Sequence, residues 1–164
     1  MNYIVLDLEW NQSYRGKEYS IEEMPFEIIQ IGAVKLDEHK NITGRWERII
    51  RPVEYVKLHG KVSEMLGITE DELKVGDDFA GAAKEFLEWC GDDYEFITWG
   101  SSDLTEFQRN MKHFGVENNF PFPFMYYDLQ KLYSKVYSAR SIIKTALKPS
   151  ASRILWLPMN WQEI

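Results

Sequence analysis

Short apolar segments alternate with polar segments along the first third of the chain. Residues 3–9 begin with aromatic and β-branched side chains and predict a first strand, and residues 28–36 and 45–50 have the same character. We interpret residues 10–25 as a polar loop and residues 37–41 as turn material. Three consecutive strands joined by polar links favour an antiparallel meander.

The pattern changes to helices near residue 69. Thr69 and Glu72 have the spacing of a capping box, and Asp78 is placed to cap a second helix. The apolar residues of that second helix follow a 3.6-residue period, at positions 79, 82, 83, 86, 87 and 90.

Two short strands then alternate with two more helices. Residues 95–99 predict a fourth strand, and Ser102 is expected to cap a helix with an apolar face at positions 104, 107, 111 and 114. Residues 124–127 predict a fifth strand, and Asp128 is expected to cap a helix whose inward apolar positions are 129, 132, 133 and 136. The pattern predicts an α/β fold, in which a mixed five-stranded sheet, first an antiparallel meander and then parallel strands, is flanked by helices.

The composition is typical of one compact globular domain. The chain has 164 residues, of which 45% are hydrophobic, and it has no apolar run of the roughly 20 residues that cross a bilayer. Its start lacks the basic segment of a secretory signal. The single cysteine, Cys90, excludes an internal disulfide and a cysteine-based zinc cluster, and its spacing with Phe86 and Leu87 favours a core position. We expect a soluble cytoplasmic protein with no membrane partner.

The charge distribution narrows the function further. A net charge of −7 argues against a protein that coats nucleic acids, because such proteins are usually basic. It leaves a nuclease open, since clustered acids can hold divalent cations. After Asp128 the chain has six Lys or Arg residues and one acid, Glu163. These cations suggest a modest basic face, with an ordinary solvated helix surface as the alternative.

Asp7 and Glu9 are the first candidates for chemistry. They lie two positions apart on the predicted first strand, so both carboxylates project from the same face. Two unpaired anions in apolar surroundings would repel each other and would be costly to desolvate. A divalent cation between them would explain the pair, and Mg²⁺ or Mn²⁺ suits such hard oxygen ligands. A strand end that emerges into solvent is the alternative.

Four segments of the chain resemble the DEDD (DnaQ-like) superfamily of 3′→5′ exonucleases. Residues 3–9 are similar to its first exonuclease motif, residues 27–34 to its second strand, and residues 62–69 to the segment after its third strand. Residues 98–104 resemble the second exonuclease motif, in the form found in the KapD-like and histone-mRNA exonuclease branch. The four segments occur in the family's order and near its spacing.

This resemblance implies a ribonuclease-H-like fold and two bound metal ions, Mg²⁺ or Mn²⁺. It also implies that Asp103 joins Asp7 and Glu9 as a metal ligand. By itself, Asp103 would be interpreted as an acid in a first helical turn, where the helix dipole favours it. The expected reaction is two-metal hydrolysis of RNA or single-stranded DNA from the 3′ end, which releases 5′-mononucleotides.

The same resemblance makes three apolar side chains candidates for substrate binding. An exonuclease must hold the last base, and stacking contributes roughly 1–3 kcal/mol per base. Trp10, Met65 and Leu66 are the candidates by their position in the family, with ordinary core packing as the alternative for each.

The third exonuclease motif of the family has no counterpart in this chain. In the histidine branch that motif places a His and, five residues later, an Asp on the last helix. The chain's three histidines all precede that region, and no Asp follows Asp128. The resemblance stops at Lys148, which divides the chain into an exonuclease-like domain, residues 1–147, and an atypical carboxyl-terminal tail, residues 148–164.

Three explanations of the missing motif compete. A shift of the reading frame near residue 148 is favoured by the abrupt change, a family member that lost catalysis but kept binding is the second, and a ligand supplied by Glu163 or by a partner chain is the third. General-base assistance alone is typically worth about 10²–10⁴-fold. We therefore predict weak or absent turnover, and fewer than two bound ions are compatible with the loss.

Two further hypotheses accompany this interpretation. The alternative function is a catalytically inactive nucleic-acid-binding or assembly module on the same fold. The apolar residues 154–161 suggest self-association into a homo-oligomer. An unrelated hydrolase with an acid pair, such as a glycosidase, would leave the other three family-like segments unexplained.

Overall fold

The computed structural model describes residues 1–117 and 126–136 of the chain. A short 3₁₀ turn covers Lys17–Tyr19. The remaining elements, numbered in chain order, are β1 (Asn2–Gln12), β2 (Phe26–Leu36), β3 (Ile42–Ile49), α1 (Gly60–Leu66), α2 (Glu70–Lys74), α3 (Phe79–Cys90), β4 (Tyr94–Thr98), α4 (Ser102–His113), β5 (Tyr126–Asp128) and α5 (Leu129–Val136).

The strands form one mixed sheet in the order β3-β2-β1-β4-β5. β2 pairs antiparallel with β1 on one side and with β3 on the other, whereas β4 pairs parallel with β1 and with β5. The predicted fold class, an antiparallel meander followed by parallel strands with flanking helices, is confirmed. β1 lies at the centre of this sheet.

Side chains alternate between the two faces of β1. Ile4, Leu6 and Leu8 are buried on one face, where they join the main core together with side chains of α3 and α4. Asp7 and Glu9 occupy the intervening positions and are only half-buried. Because side chains of a strand alternate with a period of two, both carboxylates point away from the main core.

A β-bulge changes the pairing of β1 and β2 directly after Glu9. Glu9 pairs with Gln30, but Trp10 pairs with Ile28, so that β2 has one extra residue at this point. The extra residue, Ile29, packs into a second, smaller cluster that seats α1 and α2. Ile49, which is in register with Gln30, packs against the same cluster. α1 and α2 therefore lie on the face of the sheet that carries Asp7 and Glu9.

Two buried polar side chains hold the segment between β3 and α1 against the sheet. Glu27 accepts hydrogen bonds from the backbone N–H groups of three consecutive residues, 53–55, at 2.6 to 3.1 Å. Asn11 donates to the carbonyl oxygens of Tyr55 and Lys57 and accepts from the backbone N–H of His59. These bonds fix the position of α1 relative to the end of β1.

A third buried polar side chain joins α4 to β2. The Asn110 amide oxygen accepts from the Ile28 N–H at 3.0 Å, and its nitrogen donates to the Phe26 carbonyl at 2.9 Å. Asn110 is fully buried. These bonds satisfy backbone groups at the start of β2, before its described pairing with β3 begins at Gln30.

Most predicted helix caps are confirmed. Thr69 and Glu72 form the complete capping box of α2, and Asp78 accepts from the Gly81 N–H at the start of α3. The prediction for α4 was wrong, because Ser102 is its first helical residue and Ser101 occupies the cap without a side-chain hydrogen bond. Cys90 is buried, as predicted.

Two other predictions need correction. The polar loop does not begin at residue 10, because residues 10–12 continue to pair with β2. The apolar positions of α5 that the structure describes are not inward: Leu129, Leu132 and Tyr133 are 38 to 43% exposed. Among the described elements, α5 contacts β4 and the three-residue strand β5, and these two short strands offer little surface to cover it.

The fifth strand is confirmed in kind and begins, within the described residues, at Tyr126. Residues 124 and 125, which were predicted to start it, lie outside the described part. No helix in residues 1–117 or 126–136 has the length and apolar character needed to cross a membrane.

The Asn110 anchor yields a test of this packing. Asn110→Ala leaves the Ile28 N–H and the Phe26 carbonyl without their partner, so we expect a loss of about 2–3 kcal/mol in the free energy of unfolding. Urea unfolding followed by circular dichroism measures it. Asn41→Ala, in the exposed turn between β2 and β3, is the matched control and is expected to cost less than about 1 kcal/mol. Equal losses in the two variants would contradict the assigned role.

Candidate active site

The candidate site lies where β1 passes the end of its parallel neighbour. The β1–β4 ladder ends at the pair of Val5 with Ile97, two residues before Asp7. β4 ends at Thr98, and the chain then turns through Gly100, whose φ of 92° favours glycine. Within residues 1–117 and 126–136, the second half of β1 therefore has no strand on this side, and the first turn of α4 takes that place.

Asp103 connects this first turn of α4 to β1. Its Oδ1 atom accepts a hydrogen bond from the Leu8 backbone N–H at 3.0 Å, and the residue is 6% exposed. Leu8 lies between Asp7 and Glu9, so the bond brings the third carboxylate to the strand segment that carries the other two. The predicted trio is therefore brought together by the fold, although Asp103 lies 94 residues after Glu9 in the sequence.

The three carboxylates interact electrostatically. Burial raises the pKa of Glu9 to about 7, and the negative charges of Asp7 and Asp103 add to that rise. Burial, followed by the charge of Asp7, raises the pKa of Asp103 to about 6, against the opposing effect of the Leu8 N–H. Burial also raises the pKa of Asp7. Each acid is therefore harder to ionise than it is in water.

The donor set suits a hard divalent cation, since three carboxylates with raised pKa values gain from a nearby positive charge. The three side chains do not converge on a single metal position. In residues 1–117 and 126–136 no group of three or more His, Cys, Asp or Glu side chains is placed to hold an ion. The Oδ1 atom of Asp103 is engaged by Leu8. By the chemistry of their donors, Asp7, Glu9 and Asp103 fit as the residues that would hold a metal.

The three substrate-binding candidates occupy different surroundings. Met65 is 48% exposed on α1, and Leu66 packs at the edge of the smaller cluster, on the sheet face that carries Asp7 and Glu9. Trp10 packs against the main core, with its ring centroid 5.8 Å from that of Phe26. Packing is thus directly observed for Trp10 and Leu66, and the contact of any of the three with a base stays a prediction.

The sequence interpretation missed the polar residues that position this site. Asn11 and Glu27 were assigned to a loop and to a family-like segment without any role, yet both are buried and hold the segment that leads to α1. A polar residue inside an apolar run is the available signal, since buried polar groups need partners. Those partners, residues 53–59, lie too far along the chain for any local pattern to identify.

Comparison with protein-family models decides the family. The model described as exonuclease (RNase T) matches residues 4–148. The chain belongs to this family. The RNase T exonuclease family is part of the DEDD superfamily of 3′→5′ exonucleases, hydrolases of phosphodiester bonds, so the predicted superfamily and enzyme class are confirmed. A comparison with curated proteins gives no match.

Solved structures with the same fold are nucleases. The nuclease domain of 3′hExo, a DEDDh family member bound to rAMP, matches with a TM-score of 0.69 and 23% identity, over 84% of this chain and 70% of that one. Cell-death related nuclease 4 (CRN-4) matches with a TM-score of 0.69 and 20% identity, over 84% of this chain and 48% of that one. E. coli exonuclease I in complex with a dT13 oligonucleotide has a TM-score of 0.67 and 14% identity, over 85% of this chain and 30% of that one. These TM-scores establish a shared ribonuclease-H-like fold. This exonuclease domain spans less than half of the last two chains.

The tail lies outside the described residues. The division of the chain into residues 1–147 and 148–164 therefore stays a prediction, and so does self-association through residues 154–161. The absence of a His and an Asp after Asp128 is a property of the sequence itself and is independent of the described range.

The raised pKa of Glu9 predicts a pH-dependent stability. An acid with a higher pKa in the folded state binds its proton more tightly when folded, so without metal the fold gains stability as the pH falls from about 7 towards the ordinary value of 4.5. Glu9→Gln removes the charge, and we expect it to raise the melting temperature in metal-free buffer near pH 8, with a smaller effect near pH 5. Calorimetric melting at the two pH values measures both effects.

The matched control for Glu9→Gln is Glu64→Gln on the exposed surface of α1. It is expected to leave the melting temperature unchanged at either pH. If Glu9→Gln lowered the melting temperature near pH 8, the repulsion that we assign to the three carboxylates would be refuted.

Proposed function

We propose that the chain is a metal-dependent 3′→5′ exonuclease domain for RNA or single-stranded DNA, with impaired turnover in the sequence as it stands. The single observation that carries the proposal is the meeting of Asp7, Glu9 and Asp103 at the second half of β1. Burial raises the pKa values of all three, and the neighbouring negative charges raise those of Glu9 and Asp103 further. Such an arrangement destabilises the metal-free fold and is typical of a functional site, such as one that binds a cation.

The chemistry assigned to the three carboxylates is the binding of Mg²⁺ or Mn²⁺. When bound, the metal supplies a nucleophilic water with a lowered pKa and stabilises the charge of the leaving oxygen. Asp7 and Glu9 would act from β1. Asp103 would act from α4, held in orientation by its bond to the Leu8 N–H.

The substrate class is supported by the chemistry named for the structural neighbours. The 3′hExo domain binds rAMP, and exonuclease I binds a deoxyribonucleotide oligomer. We propose that the present chain likewise binds the 3′ end of a nucleic-acid strand. Met65 and Leu66, on the same sheet face as Asp7 and Glu9, are the side chains that we assign to the terminal base, with Trp10 as a further candidate beside the bulge.

The impairment follows from the sequence after Asp128, which has no His and no further Asp. In the histidine branch these residues supply the general base and the last carboxylate. Their loss also favours the second candidate function, a catalytically inactive module that binds nucleic acid on the same fold. Metal binding is common to both functions, so only cleavage distinguishes them.

The first test is cleavage of a 5′-labelled single-stranded RNA and a matching DNA in Mg²⁺ and in Mn²⁺. We expect slow shortening from the 3′ end, because general-base assistance typically contributes about 10²–10⁴-fold. Asp7→Ala should abolish it, since the variant removes a ligand. Asp92→Ala, an exposed acid after α3, is the matched control and should retain the parent rate.

Each other outcome has a definite meaning. Fast shortening that disappears in Asp7→Ala would refute the impairment and support the nuclease. No shortening by a protein that still binds the oligonucleotide would support the inactive module. Cleavage that survives in Asp7→Ala would refute the assignment of the site.

The second test measures metal binding without turnover. Titration calorimetry with Mn²⁺ should show binding to the parent chain and at least roughly tenfold weaker binding to Asp103→Asn, a loss that even outer-shell changes commonly cause. The Asn side chain keeps an oxygen that can accept from the Leu8 N–H, so the variant should remain folded. Asp92→Asn is the control with the same chemical change. Equal affinities of Asp103→Asn and the parent would exclude Asp103 from the metal site.

A further inference from the structure

Two exposed tyrosines beyond the end of β1 each carry a cation on the ring. The Lys57 ammonium lies 4.4 Å from the centre of the Tyr14 ring, and the Arg15 guanidinium lies 4.0 Å from the centre of the Tyr19 ring. Tyr14 and Tyr19 are 53% and 52% exposed. The feature that distinguishes these two tyrosines is the cation held over each exposed ring.

Hydrogen bonds join the loop that follows β1 to the segment between β3 and α1. The Tyr55 hydroxyl donates to the Met24 carbonyl at 3.0 Å and accepts from the Ile21 N–H at 2.8 Å. The Lys57 carbonyl accepts from the fully buried Asn11 amide at 3.0 Å. Tyr14 and Lys57 are therefore carried by a backbone of fixed position, which lowers the entropic cost of binding a ligand.

This surface adjoins the carboxylates. Tyr14 follows β1 by two residues, and the three steps from Glu9 to Gln12 span roughly 10 Å of strand. Asn11, which holds Lys57, lies two positions after Glu9 and thus projects from the same face of β1. The Tyr14–Lys57 pair is therefore within reach of the nucleotides that precede a 3′ end bound at Glu9.

We propose that Tyr14 and Lys57 form a subsite for the nucleotides that precede the 3′ end of a single-stranded nucleic acid. One base stacks on the Tyr14 ring, and the neighbouring phosphate pairs with the Lys57 ammonium. This inference rests on the proposed function, and it adds a binding subsite outside the carboxylates and outside α1.

The chemistry of the pair favours this occupant. An exposed aromatic ring beside a cation is the arrangement with which proteins bind single strands, because every base has a face that can stack and every linkage has a charge. The rest of the neighbouring loop is less favourable, since Glu18, Glu22 and Glu23 would repel phosphate. The contact is therefore confined to the Tyr14–Lys57 side, and Arg15 and Tyr19 are left out of the subsite.

The test is equilibrium binding in EDTA, where no cleavage interferes. Fluorescence anisotropy would compare a labelled single-stranded oligonucleotide of about 10 nucleotides with a labelled mononucleotide. We expect Tyr14→Ala and Lys57→Glu each to weaken oligonucleotide binding by at least about fivefold and to leave mononucleotide binding unchanged. Lys57→Glu should also lower the salt dependence by roughly one contact.

Two control variants make the result specific. Lys84→Glu, on the exposed surface of α3, has the same charge change and should bind the oligonucleotide as the parent does. Tyr14→Phe keeps the ring and should bind more tightly than Tyr14→Ala. Circular dichroism melting verifies that each variant is folded, which we expect because both side chains are exposed.

The outcomes separate this inference from the function on which it rests. If the parent binds the oligonucleotide and Tyr14→Ala and Lys57→Glu bind it equally well, the subsite is refuted and the exonuclease proposal stands. If Lys84→Glu weakens binding as much as Lys57→Glu, the effect is one of net charge and the subsite is again refuted. If the parent binds no oligonucleotide in EDTA, the subsite is refuted, whereas the metal-dependent function is judged separately by the cleavage assay in Mg²⁺ and Mn²⁺.

Discussion

The hydrogen bond from the Leu8 N–H to Asp103 is the contact on which the candidate site depends. It fills the gap left where β4 stops pairing with β1, and it brings a third carboxylate to a strand that already carries Asp7 and Glu9. Burial, and after it the repulsion between the carboxylates, raises the pKa values of Glu9 and Asp103. Functional sites commonly lower the stability of a protein in this way. The negative charge that destabilises the metal-free fold is the same charge that would bind a cation.

The remaining polar anchors serve the same region. Asn11 and Glu27 fix the segment before α1, and Asn110 fixes α4 against β2. All three side chains are buried, and each is hydrogen-bonded to backbone groups. Fully bonded buried polar groups of this kind hold their segments rigidly. The carboxylates, α1 and the Tyr14–Lys57 surface are therefore held as one unit around the end of β1.

The sequence supplies the residues of the first two exonuclease motifs and lacks those of the third. The family model covers residues 4–148, and the fold brings Asp103 to the strand that carries Asp7 and Glu9. The sequence after Asp128 offers neither a histidine nor an aspartate for the third motif. A domain that keeps the three proposed metal ligands and lacks the general base is expected to bind its substrate far better than it cleaves it.

The sequence by itself determined the sheet class, the caps of α2 and α3, and the pairing of Asp7 with Glu9 on one face, because these depend on short-range periodicity and local hydrogen bonds. The family resemblance, also read from the sequence, added Asp103. Only the tertiary structure decided that Asp103 accepts from Leu8 and that Asn11 reaches the segment before α1, since these contacts join residues 95 and 44–48 positions apart. It also decided the exposure of the apolar face of α5. Burial and long-range partners depend on how elements pack, and that information is not contained in any local pattern.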